Sequence, residues 1–309
     1  MQHFSTLDGV ALHKAFLAVG SFDGVHRGHQ HLVRSMVAQA VAEGGTATVL
    51  TFFPHPAVVL GRRTSTLYLT SPDERAALLA ALGVEVIITH PFTVEFSHTS
   101  AGAIVDRLVK DLGLRSLWAG TDFALGHNRE GNREFLARAG SRLGFEVHTV
   151  EPLVEAGQPI SSTRIRQALS EGDIAEANRC LGRAFTLSGV VVKGAQRGAS
   201  LGIPTANVAV WEARAVPSRG VYATWAEVSG QRLLSVTNIG VRPTFAGQPE
   251  AQVIETHLLD FNQDIYGQTL SVSFIARLRG ERKFPDVMAL LHQIRTDIEQ
   301  ARVLLNERA

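Results

Sequence analysis

Apolar residues in the first 180 positions form short continuous runs that alternate with amphipathic stretches. Residues 16–19 are a continuous apolar run, and residues 32–41 repeat apolar side chains at the spacing of a helix. The alternation continues with strand-like runs at 47–52, 84–89, 116–119 and 145–150 and helical patterns at 72–82, 101–112 and 133–143. This order predicts an α/β fold with a Rossmann-like parallel sheet and crossover helices.

The pattern changes near residue 183, where short β-type runs separated by glycine and polar turns begin. These runs lie at 187–192, 220–228, 233–237, 253–259 and 270–277. Ser229, Gly230 and Gln231 read as a hairpin turn, and apolar residues from Val287 to Leu305 recur at helical spacing. We expect two domains: residues 1–183 with the parallel sheet, and residues 184–309 with a small antiparallel β-barrel and a C-terminal helix.

Glycines and histidines follow the first predicted strand. The segment contains Gly20, Ser21, Phe22, Asp23, Gly24, His26, Gly28 and His29. A predicted helix begins here, so unpaired backbone N–H groups and the positive end of the helix dipole attract anions. The two imidazoles can hold a polyphosphate and stabilise the charge of a departing pyrophosphate. An ordinary surface pair and zinc binding are the alternatives; the segment lacks the cysteines or the H-E-x-x-H motif typical of zinc sites.

Three more segments of the first domain carry candidate chemistry. Residues 54–56 and 120–123 follow predicted strands, and ligands of parallel sheets bind beyond the carboxyl ends of the strands. We therefore expect both segments to share a crevice with the histidine loop. At residues 160–166, hydroxyls can cap a helix while Arg164 and Arg166 attract phosphate oxygens. Taken alone, this last segment is more typical of a plain capped helix.

A second glycine-rich segment, residues 193–207, follows a predicted strand of the C-terminal half. It contains Gly194, Gly198 and Gly202. These glycines allow close backbone approach to a phosphate and an anion-binding nest of N–H groups, although the segment lacks the Gly-Lys-Ser/Thr of a P-loop. Residues 198–202 also fit the G-x-S-x-G pattern of serine hydrolases, but Pro204 is incompatible with the helix that this motif requires.

Thr205 and Asn207 alternate in an extended segment and offer two neutral oxygens to a hard cation such as Mg²⁺. A turn held by side-chain hydrogen bonds is the alternative. Glu255 interrupts an apolar strand at 253–259, a position that is common on solvated strand faces. Beside a phosphate loop and a metal pair it becomes a candidate base for a substrate hydroxyl.

Composition narrows the function classes. Thirty basic residues against 29 acidic ones give a net charge of +1, which argues against a surface that binds nucleic acid. A single cysteine, Cys180, excludes an intramolecular disulfide and suits a reducing compartment. The first residues lack the basic segment and long apolar stretch of a signal peptide, and no apolar run reaches the roughly 18 residues of a membrane span. We therefore expect a cytoplasmic protein without a membrane partner. Homo-oligomerisation is left open.

The first domain resembles the nucleotidyltransferase half of the prokaryotic bifunctional riboflavin kinase/FAD synthetases. The matching segments are residues 20–29, with its H-x-G-H motif, and residues 51–56, 120–131 and 160–166. The resemblance implies transfer of AMP from ATP to FMN. It implies a nucleotide site that includes Asp122, Ser162 and Thr163 beside the histidine loop, with His26, His29 and Arg166 as catalytic residues. It implies flavin contacts at Pro54, His55, Pro56 and Phe123.

The second domain resembles the flavokinase half of the same family. The matching segments are residues 202–207, 238–244, 255–260, 264–267 and 279–284. The resemblance implies that a riboflavin hydroxyl attacks the γ-phosphate of MgATP, with Glu255 as base and Thr205 and Asn207 at Mg²⁺. The ligands of the whole chain would then be riboflavin, FMN, FAD and ATP. Two alternatives are a single-activity enzyme whose other domain is regulatory, and a non-catalytic nucleotide-binding or RNA-binding regulator.

Overall fold

The computed structural model describes residues 1–61, 67–194, 202–242 and 251–307. The chain divides into two compact units, Met1–Ser162 and Thr163–Ala309. This division assigns the two helices before residue 183 to the second unit, whereas the expected boundary at residue 183 follows them. Across the described residues, no helix combines the length and the apolar character that crossing a bilayer requires.

The first unit alternates strands and helices. In chain order these are β1 Gln2–Phe4, β2 Ala15–Val19, α1 Arg27–Glu43, β3 Thr46–Phe53, α2 Pro56–Val59, α3 Pro72–Ala80, β4 Val86–Pro91, α4 Val94–Ser97, α5 Ala101–Leu112, β5 Leu114–Gly120, α6 Arg133–Leu143, β6 Glu146–Val150, β7 Val154–Glu155 and β8 Gln158–Pro159. In the described part of this unit, six strands form a parallel sheet in the order β1-β4-β3-β2-β5-β6. The predicted parallel α/β fold is confirmed.

Both faces of this sheet are covered, because its central strands are apolar on both sides. Leu17 of β2 packs with residues of α5 and α6 on one face. Its neighbour Phe16 packs with residues of α1 and α3 on the other. From β2 the chain adds β3 and β4 on one side and later adds β5 and β6 on the other, so the strand order reverses between β2 and β5. Such a switch point leaves a crevice at the carboxyl ends of the strands.

The second unit is built around a barrel. In chain order its elements are α7 Ser162–Glu171, which starts at the last residue of the first unit, α8 Ile174–Leu181, β9 Phe185–Val192, β10 Ala206–Ala209, β11 Gly220–Val228, β12 Gln231–Arg242, β13 Ala251–Leu258, β14 Thr269–Arg279 and α9 Val287–Asn306. The strands close in the order β10-β13-β12-β11-β14-β9, and every pair is antiparallel. The predicted barrel and C-terminal helix are confirmed.

The barrel has an inner and an outer face. Val221, Ala223 and Val236 face α9 and pack against Ala301 and Leu305, so they mark the outer face. On the inner face, buried hydroxyls form a hydrogen-bonded chain through Thr224, Ser235, Thr237 and Thr256. The predicted hairpin connects β11 and β12 through Ser229 and Gly230, both at positive φ as a type I′ turn requires.

The apolar stripe predicted on α9 is only partly buried. Val287, at the start of the helix, is 53% exposed, whereas Ala301 and Leu305 are buried. Asp297 is also buried at 2% exposure, because it accepts hydrogen bonds from Arg279 at 2.8–3.1 Å. The predicted stripe therefore packs into the core at Ala301 and Leu305 but not at Val287, where the helix starts beyond the packed surface.

Candidate active sites

Three loops of the first unit leave the sheet at the same edge. They follow β3, β2 and β5, which are adjacent and parallel. The loop after β3 carries Pro54, His55 and Pro56, the loop after β2 carries the histidine pair, and the loop after β5 carries Asp122 and Phe123. The fold thus directs the predicted nucleotide and flavin residues of this unit to one edge of the sheet.

The two histidines stack at the start of α1. His26 is the N-cap residue, and its side chain accepts a hydrogen bond from the backbone N–H of His29. The two rings lie 3.6 Å apart between centroids and 18° from parallel, with the edge of Phe22 against His29. Gly28 makes this arrangement possible, because a Cβ at this position would lie 3.2 Å from the His26 ring. The imidazoles and the helix N-terminus therefore lie together, an arrangement of the kind that attracts anions.

The surroundings of His29 disfavour its protonated form. Burial lowers the pKa of His29 well below its usual value of 6.5, and the charges of His26 and Arg75 lower it further. Within the described residues, the Nδ1 atom of His29 is buried and has no hydrogen-bond partner. A buried ring nitrogen with no partner is costly, and an anionic ligand that meets the ring would favour its protonated form. The described part of the chain contains no group of three or more His, Cys, Asp or Glu side chains suited to a metal ion.

The remaining residues of the histidine loop are shaped by backbone contacts. Asp23 is 1% exposed, and its carboxylate accepts hydrogen bonds from the N–H groups of Leu69 and Thr70. The backbone oxygen of Ser21 accepts a hydrogen bond from the hydroxyl of Thr51. Ser162 donates its hydroxyl proton to the carbonyl of Asp23 at 2.8 Å. Ser162 therefore lies against the loop, and its role in nucleotide binding stays a prediction.

The predicted flavin residues are held by local contacts. The ring of His55 caps α2 by accepting a hydrogen bond from the backbone N–H of Ala57. The backbone N–H of His55 donates to the hydroxyl of Tyr68. Phe123 is half-buried against the core, and Asp122 is exposed. Their roles stay predictions.

Two phosphate candidates, Thr163 and Arg166, lie on α7 in the second unit. The guanidinium of Arg164 on the same helix donates to Glu176 of α8 at 2.6 Å. Its charge is therefore shared with a carboxylate. The roles of Thr163 and Arg166 stay predictions.

The second site is a polar row on the outer face of the barrel. Asn207 of β10 is directly opposite Glu255 of β13, which is directly opposite Asn238 of β12. Directly paired residues of neighbouring strands point to the same side of a sheet. Glu255 consequently projects between two carboxamides, on the same face as Val221, which contacts α9. A carboxylate in this row can accept a proton from a hydroxyl group.

Gly194 provides the space that Asn207 occupies. A Cβ on Gly194 would lie 2.1 Å from Nδ2 and 2.6 Å from Oδ1 of Asn207, whose side chain is buried at 7% exposure. The glycine thus fixes the amide beside Glu255. The oxygens of Thr205 and Asn207 are the ligand type that Mg²⁺ prefers, so these two side chains fit the predicted metal site. Gly202 has a φ of 75°, and Gly198 lies outside the described residues.

A cavity of about 400 Å³ borders strands β10 and β13, with Ala206 and Thr256 rather than Asn207 and Glu255 in its lining. Its lining includes Pro204, Thr205, Thr256, Leu258, Asp264 and Tyr266. Apolar walls with a few polar groups are typical of small-molecule sites. The cavity therefore places the metal candidate Thr205 at the edge of a ligand-sized space.

Comparison with known proteins identifies the family. A family model described as FAD synthetase matches residues 10–164, and one described as riboflavin kinase matches residues 181–305. A bifunctional riboflavin kinase/FMN adenylyltransferase from Listeria monocytogenes is 39% identical over 288 residues, which cover 93% of this chain and 91% of the relative. The chain belongs to this family. The Bacillus subtilis member is 37% identical over 295 residues, which cover 93% of this chain and 92% of the relative.

The whole fold also has a solved counterpart. A crystal structure described as a macrolide-efflux protein from Streptococcus pneumoniae superposes with a TM-score of 0.88 at 31% identity. The superposition covers 97% of this chain and 98% of that one. This chain and that protein therefore share both the parallel-sheet domain and the barrel.

Sequence reasoning missed two residues at these sites. Asn238 was noted only as part of a matching segment, although it lies opposite Glu255. Arg75 was missed altogether, yet it is 1% exposed beneath the histidine loop. A signal for Arg75 existed: the buried face of α3 comprises Arg75, Ala76 and Leu79, so a charged residue stands at a core position of an amphipathic helix.

Proposed function

We propose that this chain makes FAD from riboflavin in two ATP-dependent steps at separate sites. It phosphorylates riboflavin to FMN and then transfers AMP from ATP to FMN, releasing pyrophosphate. We assign adenylyl transfer to residues 1–183 and phosphorylation to residues 184–309, in line with the family matches at 10–164 and 181–305. The observation that carries the proposal is that two distinct phosphate-handling geometries occur in two compact units, the His26–His29 stack and the Asn207–Glu255 row.

In adenylyl transfer, an FMN phosphate oxygen attacks the α-phosphorus of ATP, and the bond to the pyrophosphate oxygen breaks. His26, His29 and the N–H groups at the start of α1 bind the β- and γ-phosphates. Negative charge grows on the departing pyrophosphate, where imidazole N–H donors and the helix dipole stabilise it. Ser162, Thr163 and Arg166 add donors to the triphosphate. Chemistry of this kind depends mainly on positioning and charge stabilisation.

The flavin ring of FMN lies against the loops that follow β3 and β5. Their predicted contact residues are Pro54, His55, Pro56 and Phe123. These loops flank the histidine loop at the edge of the sheet, which supports a substrate bound across the switch point.

In phosphorylation, the terminal ribityl hydroxyl of riboflavin attacks the γ-phosphorus of ATP and ADP departs. Glu255 accepts the hydroxyl proton as the oxygen–phosphorus bond forms. Thr205 and Asn207 would hold Mg²⁺, which would neutralise phosphate charge. The role predicted for Gly194, Gly198 and Gly202 is close approach of the backbone to the phosphates, and the 400 Å³ cavity has the size and apolar lining for the nucleotide base.

We place the enzyme in the cytoplasm, since one cysteine in 309 residues suits a reducing compartment. Its substrates and products are riboflavin, FMN, FAD and ATP, and neither step requires a covalent intermediate on the protein.

Incubation of the purified chain with riboflavin and MgATP, followed by separation of the flavins over time, tests the proposal. We expect FMN to appear first and FAD to follow. Accumulation of FMN alone, or FAD formation only when FMN is supplied, would indicate a single-activity enzyme. A non-catalytic nucleotide-binding regulator would leave riboflavin unchanged.

A further inference from the structure

Arg75 is a charged residue in the core of the first unit. It lies on the inner face of α3, and its side chain is 1% exposed. One of its guanidinium nitrogens donates to the hydroxyl of Thr51 at 3.1 Å, and another lies 3.8 Å from the carboxylate of Asp23. Burying such an ion pair gains little stability compared with apolar side chains, because both charges lose their hydration. This small gain in stability suggests that the pair has a functional role.

Two partners of Arg75, Thr51 and Asp23, hold or belong to the histidine loop. The hydroxyl of Thr51 accepts a hydrogen bond from Arg75 and donates one to the carbonyl of Ser21. Thr70 accepts a hydrogen bond from the N–H of Gly24 and donates to the Asp23 carboxylate. Arg75 is thus the buried end of a network whose other end is the backbone that leads into His26 and α1.

The charge of Asp23 poses a problem for a phosphate site. A carboxylate within a loop that binds a triphosphate repels the ligand, and the repulsion is strong in a poorly hydrated interior. The carboxylate is nevertheless needed, because it fixes the N–H groups of Leu69 and Thr70. The buried guanidinium of Arg75 lies 3.8 Å from that carboxylate and opposes its charge.

We propose that Arg75 is a positioning residue for adenylyl transfer: it acts through Asp23 to keep the histidine loop shaped and electrically neutral for the triphosphate of ATP. This inference rests on the proposed function of the first unit. It predicts that loss of Arg75 weakens the use of ATP more than the use of FMN, since the uncovered charge of Asp23 repels the more highly charged ligand.

Arg75→Met tests the inference, with Arg138→Met as the matched control, because Arg138 is an exposed arginine of α6. In an assay of FMN-to-FAD conversion we expect Arg75→Met to lower kcat/KM for ATP by about 100-fold, the effect of displacing a reacting group by about 1 Å. The KM for FMN should change by less than about threefold, and Arg138→Met should match the wild type. Phosphorylation of riboflavin by the same preparations reports whether the rest of the protein is intact.

The Asp23→Asn background separates a role through Asp23 from a purely structural one. With no carboxylate to neutralise, adding Arg75→Met should reduce ATP use by less than about threefold relative to Asp23→Asn alone. This comparison decides the matter even if Arg75→Met by itself fails to fold. A loss as large as in the wild-type background would overturn the inference, as would equal losses for ATP and FMN. Near wild-type ATP use by folded Arg75→Met would do so too. Absence of FAD formation by the wild-type chain would instead refute the proposed function.

Discussion

Gly194→Ala is the substitution whose effect the structure specifies most closely. The added Cβ would lie 2.1 Å from Nδ2, 2.5 Å from Cγ and 2.6 Å from Oδ1 of Asn207. Non-bonded heavy atoms prefer about 3.5 Å, so the buried carboxamide must move by more than about 1 Å. A displacement of this size at a reacting group lowers the rate by about 100-fold. We therefore expect Gly194→Ala to lower riboflavin phosphorylation by about two orders of magnitude.

The assay is FMN formation from riboflavin across a series of Mg²⁺ concentrations. Because Asn207 is assigned to Mg²⁺, the concentration that gives half-maximal rate should rise in the variant. Conversion of supplied FMN to FAD should stay at the wild-type rate, since Gly194 and Asn207 belong to the second unit.

Gly102→Ala is the matched control, because a Cβ at that helical position would meet nothing within 4 Å. It should leave both activities unchanged. Wild-type phosphorylation by Gly194→Ala at limiting Mg²⁺ would refute the assignment of Asn207 to the metal.

Two further predictions concern proton binding and the barrel interior. Burial holds the pKa of His29 below 6.5 in the folded protein, so the unfolded chain binds this proton more readily and the free energy of unfolding falls as the pH drops below 6.5. Urea unfolding of wild type and His29→Ala at about pH 7.5 and about pH 5.5 should show a smaller fall in this free energy for the variant. Equal falls would contradict the burial of a neutral ring. Thr224→Val removes hydrogen bonds to the Ser235 carbonyl, the Ser235 hydroxyl and the Thr237 hydroxyl. Thermal unfolding should show a free energy of unfolding lower by about 1–3 kcal/mol. An unchanged transition would mean that these hydroxyls find other partners.

Elements with strong periodicity were predictable from the sequence. Helix α5 spans Ala101–Leu112 and α6 spans Arg133–Leu143, the ranges given by the pattern. Strand β10 at Ala206–Ala209 was not predicted as a strand, because it follows a glycine-rich segment and its pairing with β13 depends on distant residues. Strand β1 has three mostly exposed residues and no apolar run to identify it.

The chemistry of the sites was predictable as residue types but not as contacts. The spacing of His26 and His29 placed both at the start of a helix, yet only the fold shows that they stack and that Gly28 leaves room for the ring. The predicted alternation of Thr205 and Asn207 gave no sign that Gly194 confines the amide. The stack depends on side-chain orientation, and the contact of Gly194 with Asn207 joins two separate segments, so local patterns encode neither.

The central claim is that two independent sites act in sequence, and a reciprocal pair of variants tests it most directly. Glu255→Gln should form no FMN from riboflavin while converting supplied FMN to FAD at the wild-type rate, because it removes the base of the kinase site alone. His29→Ala should form FMN normally and fail to convert it to FAD. If either variant, folded, lost both activities or kept both, the assignment of two separate sites would be contradicted.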